Sequence, residues 1–497
     1  MPFDVLLLVF SAVFFALVLG LPLIGAGAAV SSALHSVPSG GREPMNRRSA
    51  VRGALIALAG LSLLTLGAWL GTEESRMGAL ESLGILLLTL LGAGLLLTGL
   101  GPLPSWLLEV TGPAAERLPA PVRLAARDLV RRRSRAVVAI TLAMLTTAFG
   151  VGLTVVVVGK TAQSRAEYVA RARPGALSVR MNGYFLGSFS GSFSAADVTA
   201  VRAAIERELP GVPIVAVERL ADDSKHFSVN AAVEFPDEAV YRDQAIGDER
   251  LLRYLTGDPL TPYDEDTVVV ITSAEVRLDS VNFYHGSKGD KAYEPGPPVP
   301  AVVARPAGPP METVFVPAAM LRDLGYRLLP DELIVDPGVH RVTAGELERL
   351  DARLADDLAT PYVERGFQAP TGWLPVTAVA LLAAVGCALG AGVARAGDAR
   401  QARVLRRIGD RTGLRWFCAA RVGLMAWWGA VLGAVAGCAV GMSLLWPLTM
   451  PSGWDDPPRV PFETPWTAIA AIVAGLPLLA AVLGALFAQV RTKKSTK

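Results

Sequence analysis

The sequence predicts an α-helical membrane bundle of about seven transmembrane helices, N-terminus outside and C-terminus inside, carrying one α+β extracytoplasmic domain. Three observations predict it. Hydrophobic residues make up 52% of the 497 positions and charged ones only 19%, against roughly 45–50% and about a quarter in soluble domains. Seven runs are apolar enough, and near enough to the required length of about 20 residues, to cross a bilayer. The short loops between them alternate in charge, and a polar stretch of about 210 residues separates the fourth run from the fifth.

The seven runs are Val5–Ala29, Ala54–Leu70, Leu83–Leu100, Ala136–Val158, Leu374–Val393, Val422–Leu445 and Ala468–Val490. The first is read as a span rather than a secretory signal. It opens on Met1-Pro2-Phe3-Asp4 with no basic n-region, and its apolar run is too long.

Orientation follows from arginine and lysine, which concentrate in cytoplasmic loops. The loop after the first run carries Arg42, Arg47, Arg48 and Arg52, whereas the next reads Thr72-Glu73-Glu74-Ser75-Arg76. The third run is followed by Arg117, Arg123, Arg127, Arg131, Arg132, Arg133 and Arg135. The fifth is followed by Arg395, Arg400, Arg403, Arg406, Arg407, Arg411 and Arg415. The loop after the sixth sets Asp455, Asp456 and Glu463 against Arg459, and the tail ends with Arg491, Lys493, Lys494 and Lys497. Basic loops inside place Lys160–Thr371 outside and require an odd number of spans.

The extracytoplasmic stretch has enough residues for a core of its own. Val198, Val201, Ile205 and Leu209 recur at helical spacing, and Pro210-Gly211 stops that helix. Pro213–Val217, Thr267–Thr272, Val314–Val316 and Glu332–Val335 read as strands, and Pro317–Leu324 and Ala344–Leu354 as helices, the former closed by Gly325. Tyr284–Pro310, rich in Gly and Pro, reads as an exposed loop. The carboxylate clusters Asp222-Asp223 and Asp264-Glu265-Asp266 lack a defined ligand spacing and read as solvated loops.

The three cysteines, Cys387, Cys418 and Cys438, lie in or beside apolar runs, so no disulfide staples the polar domain. Four scattered histidines offer no metal-ligand spacing, and no Ser/His/Asp or Cys/His set is recognisable. An enzyme is therefore not expected.

Two cytoplasmic segments carry more information. In Pro121–Arg135, Val122, Ala125, Ala126, Leu129 and Val130 form an apolar stripe on a helix, with Arg123, Arg127, Arg131 and Arg133 largely opposite and Arg132 beside them. That is the pattern of a helix lying in the membrane interface, and attraction to anionic lipids accounts for the arginines without a nucleic-acid partner. In Ala396–Arg415, Val404, Leu405 and Ile408 form a short apolar ridge that Gly409 would end. Such a ridge suits docking into a partner's groove. A positive-inside anchor explains it equally well. No G-x-x-x-x-G-K-[ST] run exists, so the chain is expected to carry no nucleotide or other cofactor.

The order of these elements resembles the FtsX/MacB-like permease family of ABC transporters. An LAARDLVRRRSRA segment, Leu124–Ala136, leads into a span, a large outer domain follows at once, and three spans finish the chain. Between the first two of those lies RQARVLRRIGDR, Arg400–Arg411, similar to the family's arginine, acidic residue, short apolar stretch, Leu-Arg, then Ile/Leu-Gly. Gln401 stands where the family often has Glu, a departure at one expected polar contact with an ATPase.

The resemblance covers Leu124–Val490. It implies a coupling helix comprising Gln401, Arg403, Val404, Leu405, Arg406, Arg407, Ile408 and Gly409, docked on a cytoplasmic ABC ATPase dimer that holds the ATP. It also implies a second permease chain, the same or different, in a bacterial cytoplasmic membrane. The Ala-, Gly-, Arg- and Val-rich composition suits a high-GC bacterium.

The expected division is residues 1–110 for three N-terminal spans, 111–135 for the interfacial helix and 136–158 for the fourth span. The outer domain takes 159–372, three C-terminal spans with a coupling loop at 395–415 take 373–490, and the cytoplasmic tail takes 491–497. The first 110 residues look like the last span of a first module plus the joining pair of a duplicated actinobacterial permease. The output implied is export or extraction of an amphiphilic substrate, or, alternatively, non-transporting control of a cell-wall hydrolase or sensor.

Overall fold

The computed structural model describes residues 27–31, 47–72, 79–114, 119–131, 133–181, 193–222, 225–231, 233, 240–287, 294–308, 311–354, 358–393, 411–450 and 459–494. The chain divides into a helical unit, Met1–Ala166 with Ala369–Lys497, and a sheet unit, Glu167–Gln368.

The helical unit opens with α1 (Arg47–Leu70), α2 (Ala79–Leu100), α3 (Leu103–Ala114), α4 (Ala120–Arg131) and α5 (Arg133–Ala166). The 12-residue α3 has no counterpart in the sequence-based reading. α5 runs past the expected end at Val158, so the sheet unit starts at Glu167 instead of 159 and closes at Gln368 instead of 372. The reason is local. Lys160–Ala166 lowers the hydropathy but contains neither Gly nor Pro, and the first breaker pair is Pro174-Gly175.

In the sheet unit come β1 (Leu177–Met181), α6 (Ala195–Glu208), β2 (Val215–Leu220), β3 (Lys225–Asn230), β4 (Val240–Gly247) and α7 (Glu249–Thr256). They are followed by β5 (Val268–Ile271), β6 (Ser280–Ser287), β7 (Glu294–Pro295), β8 (Val299–Ala304) and β9 (Glu312–Pro317). The last four elements are α8 (Ala318–Asp323), β10 (Leu328–Val335), α9 (Ala344–Asp351) and β11 (Ala359–Val363).

Among the described residues the strands form one mixed sheet, ordered β11-β1-β10-β2-β4-β9-β5-β8-β6-β3, with β7 beside β6. β4 runs parallel to β9 and β5 to β8, and the other pairs are antiparallel. The sheet unit is thus α+β, as expected. Tyr284–Pro310 is not the expected loop. It contains the end of β6, then β7 and β8, and residues 288–293 and 309–310 lie outside the described set. Val299–Ala304 gains its partners from β5 and β6, which no count of Gly and Pro in the segment reveals.

Caps explain where the helices begin. Ser194 and Asp197 form a capping box at α6, and Thr343 and Glu346 form one at α9. Asp248 accepts from the N–H groups of Arg250 and Leu251 at α7. α6 and α9 bury Val201, Ile205 and Leu350 against Leu177, Val179 and Leu333 of the sheet.

The chain then returns to the helical unit with α10 (Trp373–Val393), α11 (Arg411–Leu448) and α12 (Trp466–Lys494). By length and composition, six helices among the described residues can cross a membrane, making this a multi-pass membrane protein. Val5–Ala29, the seventh expected span, lies outside the described residues except at its end, where residues 27–31 are helical. At 1.5 Å per residue, the 38-residue α11 is about 57 Å long, nearly twice the roughly 30 Å hydrocarbon core. Its expected span, Val422–Leu445, is only the middle of it.

α5 and α11 are the central pair. Gly429, Gly433, Gly437 and Gly441 recur every fourth residue along α11 and face α5. A Cβ on Gly433 would stand 2.6 Å from the Met144 carbonyl oxygen, and one on Gly437 would stand 2.6 Å from that of Ala148. Small residues at this spacing let two backbones touch, which is how membrane helices associate without a hydrophobic drive between them. α1 and α2 are joined likewise, a Cβ on Gly60 falling 2.3 Å from the Leu96 amide. Around the central pair, Val137 and Ile140 of α5, Ala388 of α10, Val422 and Met425 of α11, and Ala480 of α12 make one buried cluster with Leu129 of α4.

Candidate functional site

Of the two cytoplasmic segments singled out in the sequence, the first lies among the described residues as α4. α4 buries Ala125, Ala126 and Leu129, while Arg127 and Arg131 are exposed and Arg123 is half-buried. The segment expected at 111–135 is an amphipathic helix over Ala120–Arg131, and it packs along α11. Arg133 is the first residue of α5, and Arg132 lies outside the described residues. The coupling-helix residues Gln401, Arg403, Val404, Leu405, Arg406, Arg407, Ile408 and Gly409 all lie outside the described residues as well. α11 begins at Arg411, immediately after that segment.

One residue on the buried side of α4 escaped the sequence reading. Asp128 is 3% exposed and stands 2.9 Å from an Arg421 guanidinium nitrogen, itself 6% exposed, on α11. Buried apolar residues neighbour the pair along both helices: Ala125, Leu414, Phe417 and Cys418 form one cluster, and Leu129, Val422 and Met425 belong to the bundle core. Removing two charges from water is expensive, and here each is compensated by the other. In the sequence Asp128 reads as one more charge in a run of arginines. Ionisable residues within a membrane bundle are costly and commonly functional.

A second constellation ties the two chain segments that enter and leave the sheet unit. Glu364 is 1% exposed. Its carboxylate accepts hydrogen bonds from the Tyr168 hydroxyl, the Arg171 N–H (3.0 Å), the Gly366 N–H (2.8 Å) and the Tyr362 hydroxyl (3.3 Å). Its backbone pairs with Gly175 and Ala176 at 2.7 and 3.0 Å, and Tyr168 sits edge-on to Phe367 at 5.9 Å. Burial first, and then the Glu364 hydrogen bond, push the Tyr168 phenol above its ordinary value, so it remains a donor at neutral pH. Incoming residues 168–176 and outgoing residues 362–367 are thus held by one buried carboxylate. No motif announces this, because a lone Glu before Arg-Gly carries no spacing signal.

The carboxylate cluster Asp264–Asp266 serves its own turn: Asp264 accepts from the Asp266 N–H (3.3 Å) and from the Thr267 hydroxyl (2.9 Å). Asp223 lies outside the described residues. The three cysteines are free thiols, with Cys418 buried and Cys387 and Cys438 half-buried. Among the described residues, no group of three His, Cys, Asp or Glu is placed to hold a metal ion. No protein-family model matches the chain, and no curated protein matches it either.

Proposed function

We propose that the chain is the permease subunit of a bacterial ABC transporter of the FtsX/MacB-like kind. It couples ATP hydrolysis by a separate cytoplasmic ATPase dimer to movement of its extracytoplasmic sheet unit, exporting or extracting an amphiphilic substrate. The observation that carries the reading is the docking of α4 on α11. The helix leaving segment 401–409 is packed against the amphipathic helix that precedes α5, and α5 ends at Ala166, the residue before the sheet unit begins in the chain. A push at the coupling segment therefore has a short packed route to the domain. The Glu364 tie supports the same reading, because it holds together the first and last segments of the sheet unit.

The test is extraction in mild detergent followed by identification of what co-purifies. Wild-type protein should bring an ABC ATPase dimer and a second permease chain. Leu405→Asp with Ile408→Asp should lose the ATPase while still inserting in the membrane. Survival of the complex in that variant, or substantial ATPase activity from the chain alone, sinks the assignment.

A further inference from the structure

We propose that the buried Asp128–Arg421 pair sets the register of α4 on α11, and that this register carries displacement of the coupling segment into α5. The inference rests on the permease reading above, and both residues are positioning residues.

The argument starts from placement along the chain. Arg421 lies on α11, ten residues after its first residue Arg411, which puts it about 15 Å from the end that receives the coupling segment. Asp128 lies on α4, and α5 starts five residues later, at Arg133. The pair thus bridges the helix leaving the coupling segment and the helix leading into the one that enters the sheet unit. At 2.9 Å, with exposures of 6% and 3%, the two side chains sit well inside the packed interface.

The surroundings say what the pair adds. Ala125, Leu414, Phe417 and Cys418 in one cluster, and Leu129, Val422 and Met425 in the bundle core, already hold α4 to α11 by apolar contact. Apolar contacts of that kind resist separation but are tolerant of sliding, since one aliphatic surface replaces another. A charge pair is not tolerant. Sliding by one turn, about 5.4 Å, breaks this contact between two side chains that are both almost fully buried. Replacing a buried ion pair with apolar groups of similar size is commonly neutral for stability, and a fixed register is the best-attested gain such a pair brings. Without the pair, α11 can shift while α4 stays behind; with it, α4 follows and α5 is drawn along.

The same logic supplies a test that separates register from adhesion. The protein is purified with its captured ATPase in lipid nanodiscs, with Cys387, Cys418 and Cys438 replaced by serine. Spin labels are placed at Ala166→Cys and Thr467→Cys, both exposed and near the sheet-unit end of α5 and the start of α12. The label–label distance is measured with and without a non-hydrolysable ATP analogue. In the wild-type background the analogue should shift the distance. Asp128→Asn, and the double variant Asp128→Leu with Arg421→Met, should capture the ATPase at the wild-type level and lose most of the shift.

A full wild-type shift in either variant overturns the inference. So does failure of the apolar double variant to fold or to hold the ATPase, which would make the pair a fastening rather than a register. A wild-type chain that captures the ATPase but shows no shift overturns the transmission route through α5. If wild-type protein captures no ATPase at all, the permease reading itself falls and this inference with it.

Discussion

Replacing Gly433 by alanine adds one methyl group to α11 on the face that touches α5. The new Cβ would stand 2.6 Å from the Met144 carbonyl oxygen, 2.6 Å from the Thr147 Cβ and 3.0 Å from the Ala148 amide nitrogen. Ordinary contact begins near 3.4 Å, so the helices must part by 3.4 − 2.6, about 0.8 Å. Two of the three neighbours are backbone atoms and cannot swing aside. A radial gap of 0.5–1 Å forfeits roughly a quarter to a half of each contact's dispersion well, and overpacking of this kind costs about 1–3 kcal/mol. Gly386 on α10 and Gly475 on α12 have nothing within 4 Å of the same added atom, and alanine is the better helix former there. The midpoint of thermal unfolding in mild detergent, followed by tryptophan fluorescence, should therefore fall for Gly433→Ala, by roughly 1–2 °C per kcal/mol, and hold or rise for Gly386→Ala and Gly475→Ala. Gly429→Ala added to Gly433→Ala should cost less than the sum, because helices already parted accept a second methyl group more easily. Equal behaviour of Gly433 and Gly386, or full additivity on α11, would refute the close-packing account.

Three further outcomes follow from the same geometry. Tyr168→Phe removes a donor from buried Glu364 and should destabilise the sheet unit by about 1–3 kcal/mol. Because the folded phenol titrates above its ordinary value of 10.0, the wild-type tie should be intact through neutral pH and weaken only as pH rises past 10, a loss absent from the Phe variant. Ser194→Ala should cost about 1 kcal/mol through the lost cap. The Ser194 N–H and hydroxyl hold Asp197 below its ordinary 3.8, so the carboxylate's share of the cap should be full above that value and fade as pH falls beneath it, while the bond from the Asp197 N–H to the Ser194 hydroxyl persists, read by circular dichroism of wild type against the variant. With the native cysteines removed, Leu260→Cys, 84% exposed in the sheet unit, should react with an impermeant maleimide on intact cells while Arg127→Cys does not. The reverse pattern would invert the proposed topology.

Local patterns are legible in the sequence because they record local physics. The six described spans each contain a run selected for hydropathy alone, since a bilayer demands about 20 apolar residues whatever lies beside them. Helix α6 was legible because Val198, Val201 and Ile205 repeat at the helical period and a breaker follows. Boundaries were less legible: α5 and α11 overrun their apolar segments, because loss of hydropathy ends a membrane span without ending a helix. The strands at Ser280–Ser287 and Val299–Ala304 were hidden under Gly and Pro, since pairing depends on partners elsewhere in the chain.

The amino-acid sequence by itself determined that this is a multi-pass helical protein interrupted by a large polar α+β domain. It also determined that an arginine-rich amphipathic helix precedes α5, whereas the G-x-x-x-G spacing from Gly429 to Gly441 stands out as one face of α11 only once the helices are packed. Only the tertiary structure decided that this face meets α5, that Asp128 meets Arg421, and that Glu364 ties the base of the sheet unit. The physical reason is the range of the interactions. Hydropathy and helical period act over neighbouring residues and leave their mark in the sequence. A charge buried against its counterpart on a distant helix looks, in the sequence, like any other charge until the fold removes the water from both.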